Sequence, residues 1–372
     1  MRADLRWSLA LLALLPATST VRAGAFVFAS ETSPAIVTHP TGYTGTGGPR
    51  TVTVCLDPSA LPVDVPGNVP TGDDPNQALR NAAAEFTRNM GAAGNVLSGA
   101  TAGVPSGRAD FESVAMHEIG HCLGLGHTAI GPSELVQFGE CGDAPLPACS
   151  DAAQRNKLFF SNAFPGANTS FDLGLGADNE RGSRDDLRGD DLNRVWFRSG
   201  VNDPFAVPPA SVDRNSYTIA VGGLPAGHSA VEIPTFFDPC TGPSSDTSTL
   251  RGQPATMAVM FPTICANTAI RRLSWDEVAT LRIARAGNDG SQGTGDDYSV
   301  QVDYVGQTAS CDIVVRFVTG AGFAFCQISG TGSGNNRRIT SAVANFELSV
   351  NWWFNQTDST AGPDTILRNG FE

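Results

Sequence analysis

The sequence predicts an α+β protein with helices in its first third and strands gathered toward its end. Three observations carry this reading. Apolar residues recur at helical spacing over residues 74–90 and again over 110–123, and they alternate with polar residues beyond residue 298. Between these regions, residues 128–255 are polar, punctuated by Gly and Pro, and hold few periodic segments. A structureless stretch of that size is uncommon inside a domain, so it reads as an insertion that folds locally or wraps the rest.

Composition narrows the function. The 372 residues carry a net charge of −13, which argues against nucleic acid or an anionic membrane surface as partner, since both select basic patches. Hydrophobic residues make up 41% and charged residues only 16%, against roughly 25% charged in ordinary soluble domains, so disorder from excess charge is not expected. The length supports one large domain or two ordinary ones.

In chain order, Arg2 and Arg6 precede an apolar run from Trp7 to Leu15, and small residues follow around Ala23 and Ala25. That order predicts a secretory signal peptide over residues 1–23 and a secreted protein. The run is about half the ~20 residues of a membrane span, and no later segment is long enough to cross. Residues 24–50 form a Gly/Thr/Pro-rich leader. Thr51–Cys55 is a β-branched run and reads as a strand. Asp73-Asp74-Pro75 opens a helix with core positions Leu79, Ala82, Ala83, Phe86 and Met90, stopped by Gly91. Asp110 caps a second helix to about Leu123, with Phe111, Ala115, Ile119 and Cys122 on its core face.

Within the insertion, Asp185, Asp186, Asp190 and Asp191 alternate with Arg184 and Arg188. The readings are a solvated, charge-paired helix or a calcium site, although no spacing there matches a calcium loop. Ser274 and Glu277 form a capping box, with Leu273 and Val278 as its staple, for a helix to about Ala286 ended by Gly287. Residues 288–297 read as a polar linker. A β-rich C-terminal unit over 297–357 follows, with a hairpin turning near Gly320 and a long strand from Ala342 to Phe354, and 358–372 is a tail. Trp352 and Trp353 read as core and edge packing before carbohydrate stacking.

Eight cysteines in an exported chain read as disulfides. Cys141 and Cys149 are the easiest local pair, and Cys55 with Cys122 is conceivable. Cys311 with Cys326 requires a bulge or a longer loop, because simple hairpin register sets Cys326 opposite Val315, and the pairing stays open.

The chemistry lies in Met116-His117-Glu118-Ile119-Gly120-His121-Cys122-Leu123-Gly124-Leu125-Gly126-His127. His117 and His121 are four apart on a helix, so one zinc ion can bridge them. Gly124 turns the chain so that His127 approaches as third ligand. Three neutral imidazoles leave a fourth position for water, the mark of a catalytic site rather than a closed structural one. Glu118 is placed to take that water's proton and deliver it to a leaving amine. Three of the chain's five histidines fall in this segment. His39 and His228 have no such context and read as surface residues.

Phe111-Glu112-Ser113-Val114-Ala115-Met116 running into this motif resembles the metzincin clan of zinc endopeptidases, and most closely the matrixins. The resemblance implies a metzincin-like zincin catalytic domain over 51–287, interrupted by the insertion at 128–255. It implies a Met-turn at Ala258-Val259-Met260-Phe261-Pro262, with Met260 as hydrophobic floor, and an S1′ wall from Pro262, Thr263 and Ile264. Arg271–Val278 resembles the start of the family's C-terminal helix. Two features depart from the pattern. About 130 residues separate the third His from the Met-turn, and the segment from Gly91 to Asp110 is too short for the family's upper sheet. No Cys precedes Cys55, so a thiol latency switch is absent. Either the C-terminal strands complete that sheet or they form an independent sandwich. The expected function is a secreted zinc endopeptidase acting on proteins or peptides. The rivals are an inactive zinc-site adhesion protein and a zinc amidohydrolase of non-peptide amides.

Overall fold

A computed structural model describes residues 26–28, 36–59, 74–92, 95–127, 258–260, 264–265, 267–291 and 293–359, plus the backbone of five short strands between 157 and 230. Strands β1 (Val37–His39) and β2 (Gly48–Leu56) precede helix α1 (Asp74–Arg88), then come β3 (Val96–Ser98), β4 (Ala109–Asp110) and helix α2 (Phe111–Cys122). The short strands are β5 (Lys157–Phe159), β6 (Asp172–Gly174), β7 (Leu187–Arg188), β8 (Trp196–Arg198) and β9 (His228–Ala230). Next are β10 (Thr268–Ile270), helix α3 (Trp275–Arg285), β11 (Tyr298–Gln307), β12 (Ile313–Val318), β13 (Ala324–Ser333), β14 (Asn336–Glu347) and β15 (Trp352–Trp353). The mixture is α+β.

Six strands make the main sheet. β2 lies between β11 and β12, parallel to both, with β11 at the edge; β12 runs parallel to β14, and β13 closes the other end antiparallel to β14. β1 pairs with the first residues of β14. The strands after residue 297 thus share one sheet with β2, and a separate sandwich is not what the pairing gives. Part of the leader also belongs to this sheet. Val52, Val54 and Leu56 of β2, Ile313, Val315 and Phe317 of β12, and Ala342, Ala344 and Phe346 of β14 face the helices. Against them pack Leu79, Ala82, Ala83 and Phe86 of α1 and Phe111, Ala115, Met116 and Ile119 of α2. The helical period of both segments is the imprint of this one buried face.

Several expectations are corrected. α1 ends at Arg88 because Asn89 takes a left-handed conformation (φ 49°), two residues before Gly91. The hairpin near Gly320 does not form: β14 lies between β12 and β13, and the hairpin is β13–β14 instead. Val315 and Cys326 therefore lie in one row with Ala344 between them. The alternation from Ala342 to Phe354 is broken after Glu347, whose carboxylate accepts N–H groups from Gly320 (2.7 Å) and Ser349 (3.3 Å) as the chain bends. Trp352 then returns to the core and β15 pairs with β4. Trp352 is buried against Phe111 and Phe346, and Trp353 lies under the Arg271 guanidinium.

Two disulfides join pairs of described residues, Cys55–Cys311 and Cys122–Cys326, and Cys265 is disulfide-bonded as well. Cys55 cannot meet Cys122, since alternation along β2 turns it to the face opposite Val54 and the helices. Cys311 cannot meet Cys326 with β14 intervening. His39 is buried, not superficial; its ring bonds the Tyr298 hydroxyl (3.1 Å) and the Asn336 side chain (3.2 Å). Cys141, Cys149 and the acidic residues 185, 186, 190 and 191 lie outside the described residues, as do 1–25, 360–372 and the side chain of His228. Leu187–Arg188, inside the acidic run, is strand rather than helix.

Candidate metal centre

α2 begins where Asp110 accepts the Ser113 N–H (3.2 Å), and the same carboxylate holds buried Arg271 through two bonds of 2.9 and 3.0 Å. The Ser113 hydroxyl oxygen in turn accepts the Ile270 N–H (2.7 Å). The start of the helix is therefore tied to the segment after the insertion. Its other end stops at Gly124 (φ 110°), where a Cβ would meet Thr38 of β1 at 3.0–3.2 Å, so both the turn and the packing call for glycine. The Leu125 N–H bonds the Gly120 carbonyl (2.9 Å), and the chain doubles back to deliver His127. On the far side of this turn the Val27 N–H bonds the Gly124 carbonyl (3.1 Å).

The structure brings His117, His121 and His127 together. Their Nε2 atoms form a near-equilateral triangle with sides of 3.1, 3.1 and 3.2 Å. His117 Nδ1 lies 2.7 Å from the Val259 carbonyl oxygen and His121 Nδ1 2.8 Å from that of Leu125. A carbonyl only accepts, so both Nδ1 atoms carry the ring hydrogen and both Nε2 atoms present lone pairs. Lone pairs converging at this spacing repel unless a cation lies among them. Two bonds of about 2.0–2.1 Å at a tetrahedral angle set nitrogen donors about 3.3 Å apart, close to what is found. The residues fit one divalent ion. Among the described residues this is the one such group of three or more potential ligands.

Electrostatics support the same state. Burial holds His117 down to about 4 and His121 down to about 3, and His127 falls well below its ordinary value for the same reason. The rings are neutral at physiological pH, as ligands must be. Glu118 is 4% exposed, and burial pushes its carboxyl up to about 8 against the opposing pull of the Cys326 N–H. Its Oε2 has no hydrogen-bond partner among the described residues. A cation on the adjacent imidazoles acts in the same sense as that N–H and favours the ionised form.

Met260 is buried beneath α2, with its Sδ against Gly120. Its N–H donates to Glu277 Oε1 (3.0 Å), while Glu277 Oε2 accepts the Ser274 N–H (2.7 Å) to form the capping box of α3. Reading the sequence finds the box but not the second oxygen's work, because its partner lies 17 residues away. The Val259 and Leu125 carbonyls and Cys326 were equally invisible, backbone groups having no residue-type signature. Ile264 is half-buried against the core; Pro262 and Thr263 lie outside the described residues.

Residues 66–139 match the family model of the matrixins, a span holding α1, α2 and all three histidines. The chain carries a matrixin-like metallopeptidase segment. The match stops before Met260 and α3. Matrixins are zinc metallopeptidases of protein and peptide substrates, and the histidine triangle suits their ion. Calcium finds no such support. No curated protein and no solved structure matches the chain. No helix among the described residues is long and apolar enough to cross a membrane.

Proposed function

We propose that the protein is a secreted zinc endopeptidase in which His117, His121 and His127 hold the metal and Glu118 is general base and acid. One observation carries the reading: three Nε2 atoms 3.1–3.2 Å apart, two of them shown by their carbonyl partners to be lone-pair donors. Bound there, zinc supplies a Lewis acid that polarises a scissile carbonyl and acidifies a water. The chain's own residues do the rest. Val259 and Leu125 fix the ring orientations of His117 and His121 through their carbonyls, as second-sphere partners of metal sites do. Glu118, next to the first ligand and shielded from solvent, takes a proton from water and returns it to the departing amine. Met260 is the floor that sets the height of α2, the role its place in a Met-turn implies. Pro262, Thr263 and Ile264 form the wall of the S1′ pocket, by resemblance to matrixins.

The amino-terminal signal pattern and the disulfides Cys55–Cys311 and Cys122–Cys326 support export. The test is casein or gelatin hydrolysis by the mature protein. Activity should vanish with a chelator and return with zinc. Glu118→Ala should lower kcat at least ~100-fold while binding one zinc per chain. Proteolysis that survives Glu118→Ala would remove the assigned base. A zinc-loaded wild type that cleaves no peptide would favour a binding role.

A further inference from the structure

Two stretches of the amino-terminal leader close on the turn that follows α2. Phe26 forms an isolated antiparallel bridge with Leu125, and the Val27 N–H donates to the Gly124 carbonyl (3.1 Å). At its Cα, Gly124 lies against Thr38 of β1, whose Cβ, Cγ2 and carbonyl oxygen stand 3.0–3.2 Å from where a Cβ would be. The peptide joining Gly124 to Leu125 is thereby held at both poles, its carbonyl by Val27 and its N–H by the Gly120 carbonyl (2.9 Å). The next carbonyl along, that of Leu125, is the one 2.8 Å from His121 Nδ1. The leader thus reaches a metal-facing imidazole through one peptide unit. It also has its own anchors. Phe26 is buried, and the Phe28 ring fills a notch on β13: a Cβ on Gly330 would meet its Cζ at 2.5 Å.

We propose that Val27 is a positioning residue for the metal centre: the Phe26–Phe28 strap fixes the Gly124–Leu125 peptide, and so the carbonyl that aims His121 at the ion. The inference rests on the proposed metal site for its consequence but not for its geometry. Packing against Thr38 leaves room only for glycine at 124, and glycine is the residue whose backbone is freest to pivot. A hydrogen bond on its carbonyl removes that freedom at the point where the chain turns toward His127. The two rings supply the docking and the Val27 N–H supplies the aim. A plain fold staple predicts otherwise: its loss lowers stability and leaves the zinc affinity of the folded protein unchanged.

The experiment compares full-length mature wild type with Val27→Pro, which removes the donated N–H, and Phe28→Ala, which loosens the strap and leaves that N–H in place. Zinc Kd is measured by competition titration on zinc-free protein, with urea unfolding of the same samples to show that they are folded, and cleavage of a fluorogenic peptide is followed alongside. Val27→Pro should raise the zinc Kd about tenfold, the lower end of what outer-sphere partners of metal ligands contribute, and Phe28→Ala should act in the same direction. Linkage supplies a test that needs no variant. If docking of the strap tightens zinc about tenfold, zinc tightens docking by the same factor, so exchange of the Val27 amide in wild type should slow about tenfold on adding zinc. An unchanged Kd in folded Val27→Pro, or Val27 exchange indifferent to zinc, overturns the proposal. Neither readout requires turnover, so a wild type that binds zinc, cleaves no peptide and shows the coupling fails as a peptidase and keeps the strap. A wild type that binds no zinc overturns both. Should Val27→Pro not fold, Phe28→Ala and the wild-type exchange decide.

Discussion

Gly120→Ala sets two effects of known size against each other. Ala is the better helix former by about 1 kcal/mol, so in open space the change stabilises α2. Here the new Cβ would lie 2.5 Å from Met260 Sδ and 3.5 Å from Leu125 Cδ1. Carbon contacts are most favourable near 3.5–4.0 Å, so the sulfur must retreat by roughly 1 Å. Met260 is 1% exposed and has little room to do so, and overpacking of this kind costs about 1–3 kcal/mol. The net expectation is a loss of up to about 2 kcal/mol, opposite in sign to the propensity effect. Met260→Ala alone should cost about 2–5 kcal/mol through the void it leaves. In the double variant the methyl introduced by Gly120→Ala points into that void, so the combined loss should fall short of the sum by about 1–3 kcal/mol. Urea unfolding at fixed zinc concentration reads all four proteins. Because Val259 and Met260 are neighbours and the Val259 carbonyl orients His117, Gly120→Ala should also weaken zinc binding in a competition titration. Stabilisation by Gly120→Ala, or an additive cycle, would show that the helix does not rest on Met260 as described.

Two further perturbations test the frame around the site. Asp110→Ala removes the cap of α2 and leaves the Arg271 guanidinium buried without its counter-charge, so it should cost about 3–5 kcal/mol in urea unfolding. A loss under about 1 kcal/mol would mean that Arg271 finds another partner or water. Glu112 is fully buried among donors from Asn81 (2.8 Å), Asn355 (2.7 Å) and Ser359, yet burial raises its carboxyl from 4.5 to about 7, with Arg271 pulling the other way. A raised carboxyl means that the folded protein binds a proton the unfolded chain releases, so its contribution is full below pH 4.5 and is lost as pH rises through about 7. Glu112→Gln should flatten the fall in stability over that window by up to about 3 kcal/mol, and a pH series of thermal melts in which both proteins decline alike would refute it.

What could be read from the sequence was local, and what could not was set by distant partners. α2, its Asp110 cap and the three ligands follow from spacing within one segment, as does the Ser274 box. The parallel pairing of Gly48–Leu56 with Tyr298–Gln307 leaves no local trace, since each strand shows only that one face is buried. β1 is too short for any period, and His39 on it owes its burial to Tyr298 and Asn336. Cys55 pairs with Cys311 rather than Cys122, a choice the sequence leaves open because alternation gives two faces without saying which one the helices cover. The apparent single strand from Ala342 to Phe354 kept its period through a bend because Trp352 and Phe354 return to the same core as Phe346.

The same geometry bears on the long segment that separates His127 from Val259 in sequence. His127, the last described residue before it, has its Nε2 3.2 Å from His117 Nε2, while Val259, just after it, has its carbonyl 2.7 Å from His117 Nδ1. His127 and Val259 therefore meet on opposite sides of one imidazole ring. Closing a chain between points already in contact depends only weakly on its length, at about 0.6 kcal/mol per doubling. Among the described residues, Leu125 is held through His121 before that segment and Met260 through Glu277 after it. With the contact of His117 and Val259, they tie together segments on either side of 128–257 that are far apart in sequence and adjacent in space.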